Sequence, residues 1–213
     1  MILLYEFGRW SAVLMSFPFC WLFFKQKVYY EDKKVQGRRV RGGALIVTNH
    51  FCPLDYILNV LVFFPKKLYI VAAEMAFKNR LFRFSMKFWG GIEANRKTKS
   101  PRFILEAAKE IKKGHLVQIF PEGHNTKDGK IQPFFPGYVA IALRSNAPII
   151  PVITDGNYGL FKRTHIIIGK PIDLHAYLTG EKYTKQDILR INEIIYQKAQ
   201  DLQEELHRRI RGN

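Results

Sequence analysis

The 213-residue sequence has only two cysteines, Cys20 and Cys52, so no disulfide framework can hold it. Neither belongs to a Cys-x-x-Cys pair or a Cys/His cluster with zinc-binding spacing, and a reducing compartment is the default. Acidic residues are also scarce: 18 Asp plus Glu stand against 34 Lys plus Arg, a formal net charge of +16. An apolar run of spanning length is missing as well. A bilayer-spanning helix takes roughly 20 residues, whereas the uncharged stretch near the N-terminus covers residues 10–24 and contains Pro18. A secretory signal is a poor fit, because the basic residues follow the apolar stretch and no small-x-small cleavage site stands out. There is no solenoid or collagen-like period, and no linker long enough to divide the chain.

What is present is core-forming material: 47% of residues are hydrophobic and 14% aromatic, which argues for a globular domain. The charge is unevenly placed. Residues 1–24 are neutral overall, residues 25–113 hold 20 basic and 7 acidic groups, and residues 114–213 hold 13 and 10. The excess therefore begins directly behind an aromatic segment that includes Trp10, Phe17, Phe19, Trp21, Phe23 and Phe24, followed at once by Lys25 and Lys27. Aromatic side chains beside a polybasic run suit an interfacial anchor on an anionic leaflet, with the body of the protein on the cytoplasmic side. A buried first helix of the domain is the competing reading. Nucleic acid is not expected as a partner, since no recognition signature accompanies the charge.

Residues 44–48 and 67–72 read as strands, as do 115–120, 149–153 and 165–168. Helices are expected from Pro53, over 76–89, from Ser100-Pro101 to Gly114, over 137–145 and over 184–211. The last is the clearest, with Thr184 and Asp187 spaced as a capping box and Ile188, Ile191, Ile195, Ala199, Leu202, Leu206 and Ile210 on one face. Alternating strands and helices predict an α/β fold, with a largely parallel central sheet flanked by helices and functional residues at strand ends. The expected division is a membrane-associating helical segment and basic connector over 1–42, then an α/β domain over 43–213.

Four segments carry possible chemistry. Asn49-His50-Phe51-Cys52-Pro53-Leu54-Asp55 joins a strand to a helix, so the chain can turn back and let the Asp55 carboxylate meet one nitrogen of His50. The other nitrogen is then available as a general base, and the absence of an accompanying serine suits activation of a substrate hydroxyl. Phe120-Pro121-Glu122-Gly123 follows another strand. Gly90 to Arg96, with Lys97 and Lys99, reads as a loop able to bind a phosphate by fork and charge. Ala147-Pro148-Ile149-Ile150-Pro151-Val152 is a proline-bracketed apolar strand. Each alone also fits an ordinary turn, loop or core strand.

In this order, the four resemble the glycerolipid acyltransferase family, which includes the 1-acylglycerol-3-phosphate acyltransferases. The Asn-His-x4-Asp signature is met by Asn49, His50 and Asp55, the Phe-Pro-Glu-Gly block by residues 120–123, the loop arginine by Arg96 and the Pro-rich strand by Pro148 and Pro151. The resemblance implies a membrane-associated O-acyltransferase that moves a fatty acyl group from acyl-CoA or acyl carrier protein to a lysophospholipid hydroxyl. It implies His50 and Asp55 as catalytic residues, no acyl-enzyme, an oxyanion met by nearby backbone donors, and no metal or other cofactor. Asn49, Arg96, Glu122, Gly123 and Lys127 are then expected at the substrate. The usual continuation Glu-Gly-Thr-Arg-Ser is here Glu-Gly-His124-Asn125-Thr126, and Phe135-Pro136 stand where a lysine is common before Gly137. A different lysolipid acceptor, a transacylase acting on phospholipid, or a non-catalytic lipid-binding protein are the alternatives.

Overall fold

Side chains alternate across a strand, and here both faces are apolar. In residues 44–48, Leu45 and Val47 point into one core cluster while Ala44 and Ile46 point into the other. The computed structural model describes residues 2–95, 101–126, 128–180 and 183–212. Among them are strands β1 (Lys27–Tyr30), β2 (Ala44–Thr48), β3 (Leu68–Ala73), β4 (Gly91–Ala94), β5 (Leu116–Ile119), β6 (Ile149–Thr154) and β7 (His165–Ile168). They form one sheet in the order β1-β7-β6-β2-β5-β3-β4. Only the β6–β7 pairing is antiparallel, so β1 and β7 run against the other five strands.

The helices are α1 (Ile2–Phe24), α2 (Leu54–Val62), α3 (Arg80–Phe88), α4 (Arg102–Lys112), α5 (Gly137–Ser145) and α6 (Lys185–Arg211). Apolar residues of α4, α5 and α6 fill the cluster containing Leu45 and Val47. Residues of α1 and α2, including Phe24 and Leu58, fill the cluster containing Ala44 and Ile46. The result is a mixed α/β fold, a mostly parallel seven-stranded sheet between helices.

Three elements depart from expectation. β1 lies in the segment read as a connector, yet it pairs with β7 from Lys27–His165 to Tyr30–Ile168, so the sheet begins before residue 43. β4 lies where a loop was expected; its sequence Gly-Ile-Glu-Ala buries only Ile92, too little pattern to signal a strand. The single helix expected over 76–89 is split, because the Asn79 side chain accepts the Leu81 N–H at 2.9 Å and starts a new helix behind the 3-10 turn Glu74–Phe77. α1 continues through Pro18, which is exposed, so the Leu14 carbonyl that loses its partner is on the outer side.

Candidate active site

The five co-directional strands end on the same side of the sheet, and the turns leaving β2, β5 and β6 meet there. The turn after β2 brings His50 and Asp55 together because Asp55 falls in the first turn of α2. Its Oδ2 lies 2.8 Å from His50 Nδ1. The same oxygen accepts the backbone N–H of Phe51 at 2.7 Å and of Cys52 at 2.9 Å, while Oδ1 accepts the hydroxyl of Tyr158. Asp55 is fully buried, and these bonds compensate its desolvation. Surrounded by donors, the carboxylate acts as acceptor, which assigns the proton to His50 Nδ1 and the lone pair to Nε2. The imidazole stacks on Phe120, centroids 3.8 Å apart and planes 17° from parallel, and is 17% exposed. Burial pushes the Cys52 thiol up, so it stays protonated and is a poor nucleophile.

Glu122, also fully buried, braces this turn from β5. Its Oε1 accepts the His50 N–H at 3.0 Å, and its Oε2 accepts the Thr126 hydroxyl at 2.7 Å and the Gln132 N–H at 2.8 Å. Burial raises its carboxyl, opposed by those three donors. Asn49 makes a reciprocal pair with the end of β6: its Nδ2 donates to Thr154 O at 2.9 Å and its Oδ1 accepts Thr154 N–H at 3.0 Å. The polar atoms of Asn49 and Glu122 thus bond within the protein: Glu122 braces the His50 turn directly, and Asn49 ties the end of β2 to the end of β6. The N–H groups of His50, Phe51 and Cys52 go to these carboxylates and that of Gly123 to Phe120 O.

Beside Phe120 opens an apolar cavity of about 360 Å³ lined by Val71, Ala72, Ala94, Phe103, Phe135 and Gly123 among others. Gly123 has φ +73°, a left-handed turn that glycine adopts without strain. Arg96, Lys127 and the side chain of Phe19 lie outside the described residues. Trp21 is 60% exposed, Trp10, Phe17 and Phe23 are half-buried, and Phe24 is buried against Tyr158. Lys25 and Lys27 lie at the His50 end of the sheet. Among the described residues, no group of three or more His, Cys, Asp or Glu side chains could hold a metal ion. Thr126, Gln132, Thr154 and Tyr158 were missed by sequence reasoning: the last two lie about 100 residues from their partners, and no local pattern marks them.

A family model described as Acyltransferase matches residues 27–155, more than half of the chain. A 1-acyl-sn-glycerol-3-phosphate acyltransferase from Escherichia coli K12 is 26% identical over 191 residues, covering 84% of this chain and 76% of the relative. One from Limnanthes douglasii is 27% identical over 134 residues, covering 62% of this chain, which spans about half of that relative's length (48%). The crystal structure of the 1-acyl-sn-glycerophosphate acyltransferase PlsC from Thermotoga maritima shares the fold, with TM-score 0.58 at 19% identity over 92% of this chain and 82% of that one. Since the matched region runs from β1 through the His50, Glu122 and Thr154 turns to Asp155, the chain belongs to the acyltransferase family.

Proposed function

We propose that this protein transfers a fatty acyl group from a thioester, acyl-CoA or acyl carrier protein, to the free hydroxyl of a lysoglycerolipid, with 1-acylglycerol-3-phosphate as acceptor and phosphatidic acid as product. The observation that carries the reading is the His50–Asp55 pair: Nδ1 is bound at 2.8 Å to a buried carboxylate, leaving Nε2 as the basic nitrogen. His50 Nε2 takes the proton of the acceptor hydroxyl as its oxygen bonds to the thioester carbonyl carbon. The tetrahedral intermediate then expels the thiolate, which receives that proton from the imidazolium. Asp55 keeps the ring in the productive tautomer and stabilises its charge. The protonated Cys52 thiol supports direct transfer without an acyl-enzyme. The apolar cavity beside Phe120 has the character to take hydrocarbon, and Gly123 at its wall keeps the approach open. Arg96 and Lys127 serve the acceptor phosphate in this reading, and α1 rests on the cytoplasmic face of an anionic membrane. Relatives named for this activity support the assignment.

Asn125, at the position usually occupied by Arg in the family block, is exposed and uncharged, which favours a second acceptor with a different headgroup. The test is transfer of labelled acyl groups to a panel of lysolipids in vesicles, with products identified by mass spectrometry. His50→Ala and Asp55→Asn are expected to lower the rate by roughly 10²–10⁴-fold while the protein stays folded. Full activity of His50→Ala sinks the mechanism. Transfer from phospholipid without added thioester identifies a transacylase.

A further inference from the structure

The two oxygens of the Asp55 carboxylate face different groups. Oδ2 takes His50 Nδ1 and two backbone amides, whereas Oδ1 takes the hydroxyl of Tyr158, from the loop between β6 and β7. We propose that Tyr158 is a positioning residue of the dyad, locking the rotation of the Asp55 carboxylate and drawing off part of its charge, and so setting the basicity of His50. This rests on the reading of His50 as general base.

The loop carrying Tyr158 is anchored at each end. Asp155 accepts the N–H groups of Asn157 and His165 at 3.0 and 3.1 Å, and its other oxygen lies 2.7 Å from His165 Nδ1. Gly156 has φ +66°, and a Cβ there would come within 2.6 Å of the Phe51 ring, so the loop lies directly on the turn of the dyad. On the other side, the end of α1 seats the tyrosine: its ring meets Phe24 edge-on at 5.4 Å, Gly159 N–H bonds to Phe23 O at 3.3 Å and Thr164 N–H to Phe24 O at 2.9 Å. A hydroxyl held this way fixes the carboxylate at a second point, and a carboxylate bound at both oxygens cannot turn its other edge to the imidazole. Burial and the adjoining Asp55 charge push the Tyr158 hydroxyl well above its ordinary value, so it remains a donor across the working range. Among the described residues, Cys52 in the same turn and Glu122 after β5 are the other titratable groups facing the dyad.

Tyr158→Phe keeps the ring against Phe24 and deletes only the hydroxyl. In the full chain, acyl transfer is measured across pH, and the His50 imidazole is titrated by NMR, with its signal identified by its loss in His50→Gln. Without the tyrosine donor, Asp55 presents more charge to the imidazolium and stabilises it. The His50 titration and the acid limb of kcat/KM are therefore both expected to move up by about one pH unit. kcat is expected to fall about tenfold because the carboxylate loses the anchor that orients it toward the imidazole, with KM little changed; the melting temperature falls as well, since Asp55 Oδ1 is left without that donor in a buried site. A merely structural hydroxyl lowers the melting temperature and leaves the titration in place. An unmoved His50 titration with wild-type kcat in Tyr158→Phe, alongside an inactive His50→Gln, overturns the role of Tyr158 alone. Full activity of His50→Gln overturns the general-base reading and this inference with it.

Discussion

Asn49 shows how a motif residue can be conspicuous for one reason and useful for another. Its amide spans the ends of β2 and β6 through both backbone groups of Thr154, and both residues are buried. Asn49→Ala strands a buried N–H and a buried carbonyl, at a cost of about 2–4 kcal/mol. In a chain of this size each kcal/mol is worth about 2–4 °C, so calorimetry is expected to show a melting temperature lowered by roughly 4–16 °C, with the KM for acceptor unchanged in the protein that remains folded. A large rise in KM with no loss of stability supports a substrate-binding role. His50 and Asp55 were legible because their partners are each other, five residues apart. Tyr158 was not, because its bond to Asp55 crosses 103 residues.

α6 was readable along its whole length, since a long apolar stripe and a cap are local properties. The Thr184–Asp187 capping box forms as its spacing predicts. The Thr184 backbone N–H, then its hydroxyl, with Thr179 and Arg190 adding to them, pull the Asp187 carboxyl from its ordinary 3.8 down to about 2. A carboxyl depressed by folding stabilises the fold fully above its unfolded pKa, and that contribution is lost as pH falls toward the folded value. Thermal melts from about pH 5 to about pH 2 are therefore expected to show an acid-induced loss of stability that is smaller in Asp187→Asn, which starts from a lower value near pH 5. Equal losses in both proteins remove Asp187 from the acid response. Short elements were harder to read. β1 (Lys-Val-Tyr-Tyr) and β4 (Gly-Ile-Glu-Ala) have four residues each and show neither a clear alternation nor a continuous apolar run, so their identity as strands comes from β7 and β3 beside them.

Across the whole molecule, the basic run behind α1 is distributed to both ends of the sheet. β1 carries the chain from Lys25 and Lys27, at the His50 end, to a groove at the opposite end lined by Lys33, Lys34, Arg38, Arg39 and Arg41. α1 lies along the body between these ends, with Glu6 paired to Lys67 before β3 and Phe24 packed on Tyr158. No helix among the described residues is long and apolar enough to cross a membrane. The outer side of α1 nevertheless exposes Phe7, Leu14, Met15, Trp21 and Leu22, spaced to share a face. A helix with that stripe and cations near both ends suits a bilayer surface. Sedimentation with anionic vesicles is expected to weaken with added salt and to fall at least tenfold in a Met15→Glu, Trp21→Glu double variant, since burial of either side chain contributes about 1.5–3 kcal/mol. Unchanged binding of that variant removes α1 from the membrane contact.

The sequence by itself determined the α/β class, five of the seven strands, the long terminal helix and the His50–Asp55 pair. All of these rest on local periodicity, capping or near neighbours. Tertiary structure alone decided that β1 joins the sheet, that Phe24 turns inward, that Asn49 ties β2 to β6, that Glu122 braces the His50 turn, and that Tyr158 reaches Asp55. Those outcomes depend on which strand ends meet across the sheet, and buried polar atoms find their partners there from segments the linear order keeps far apart.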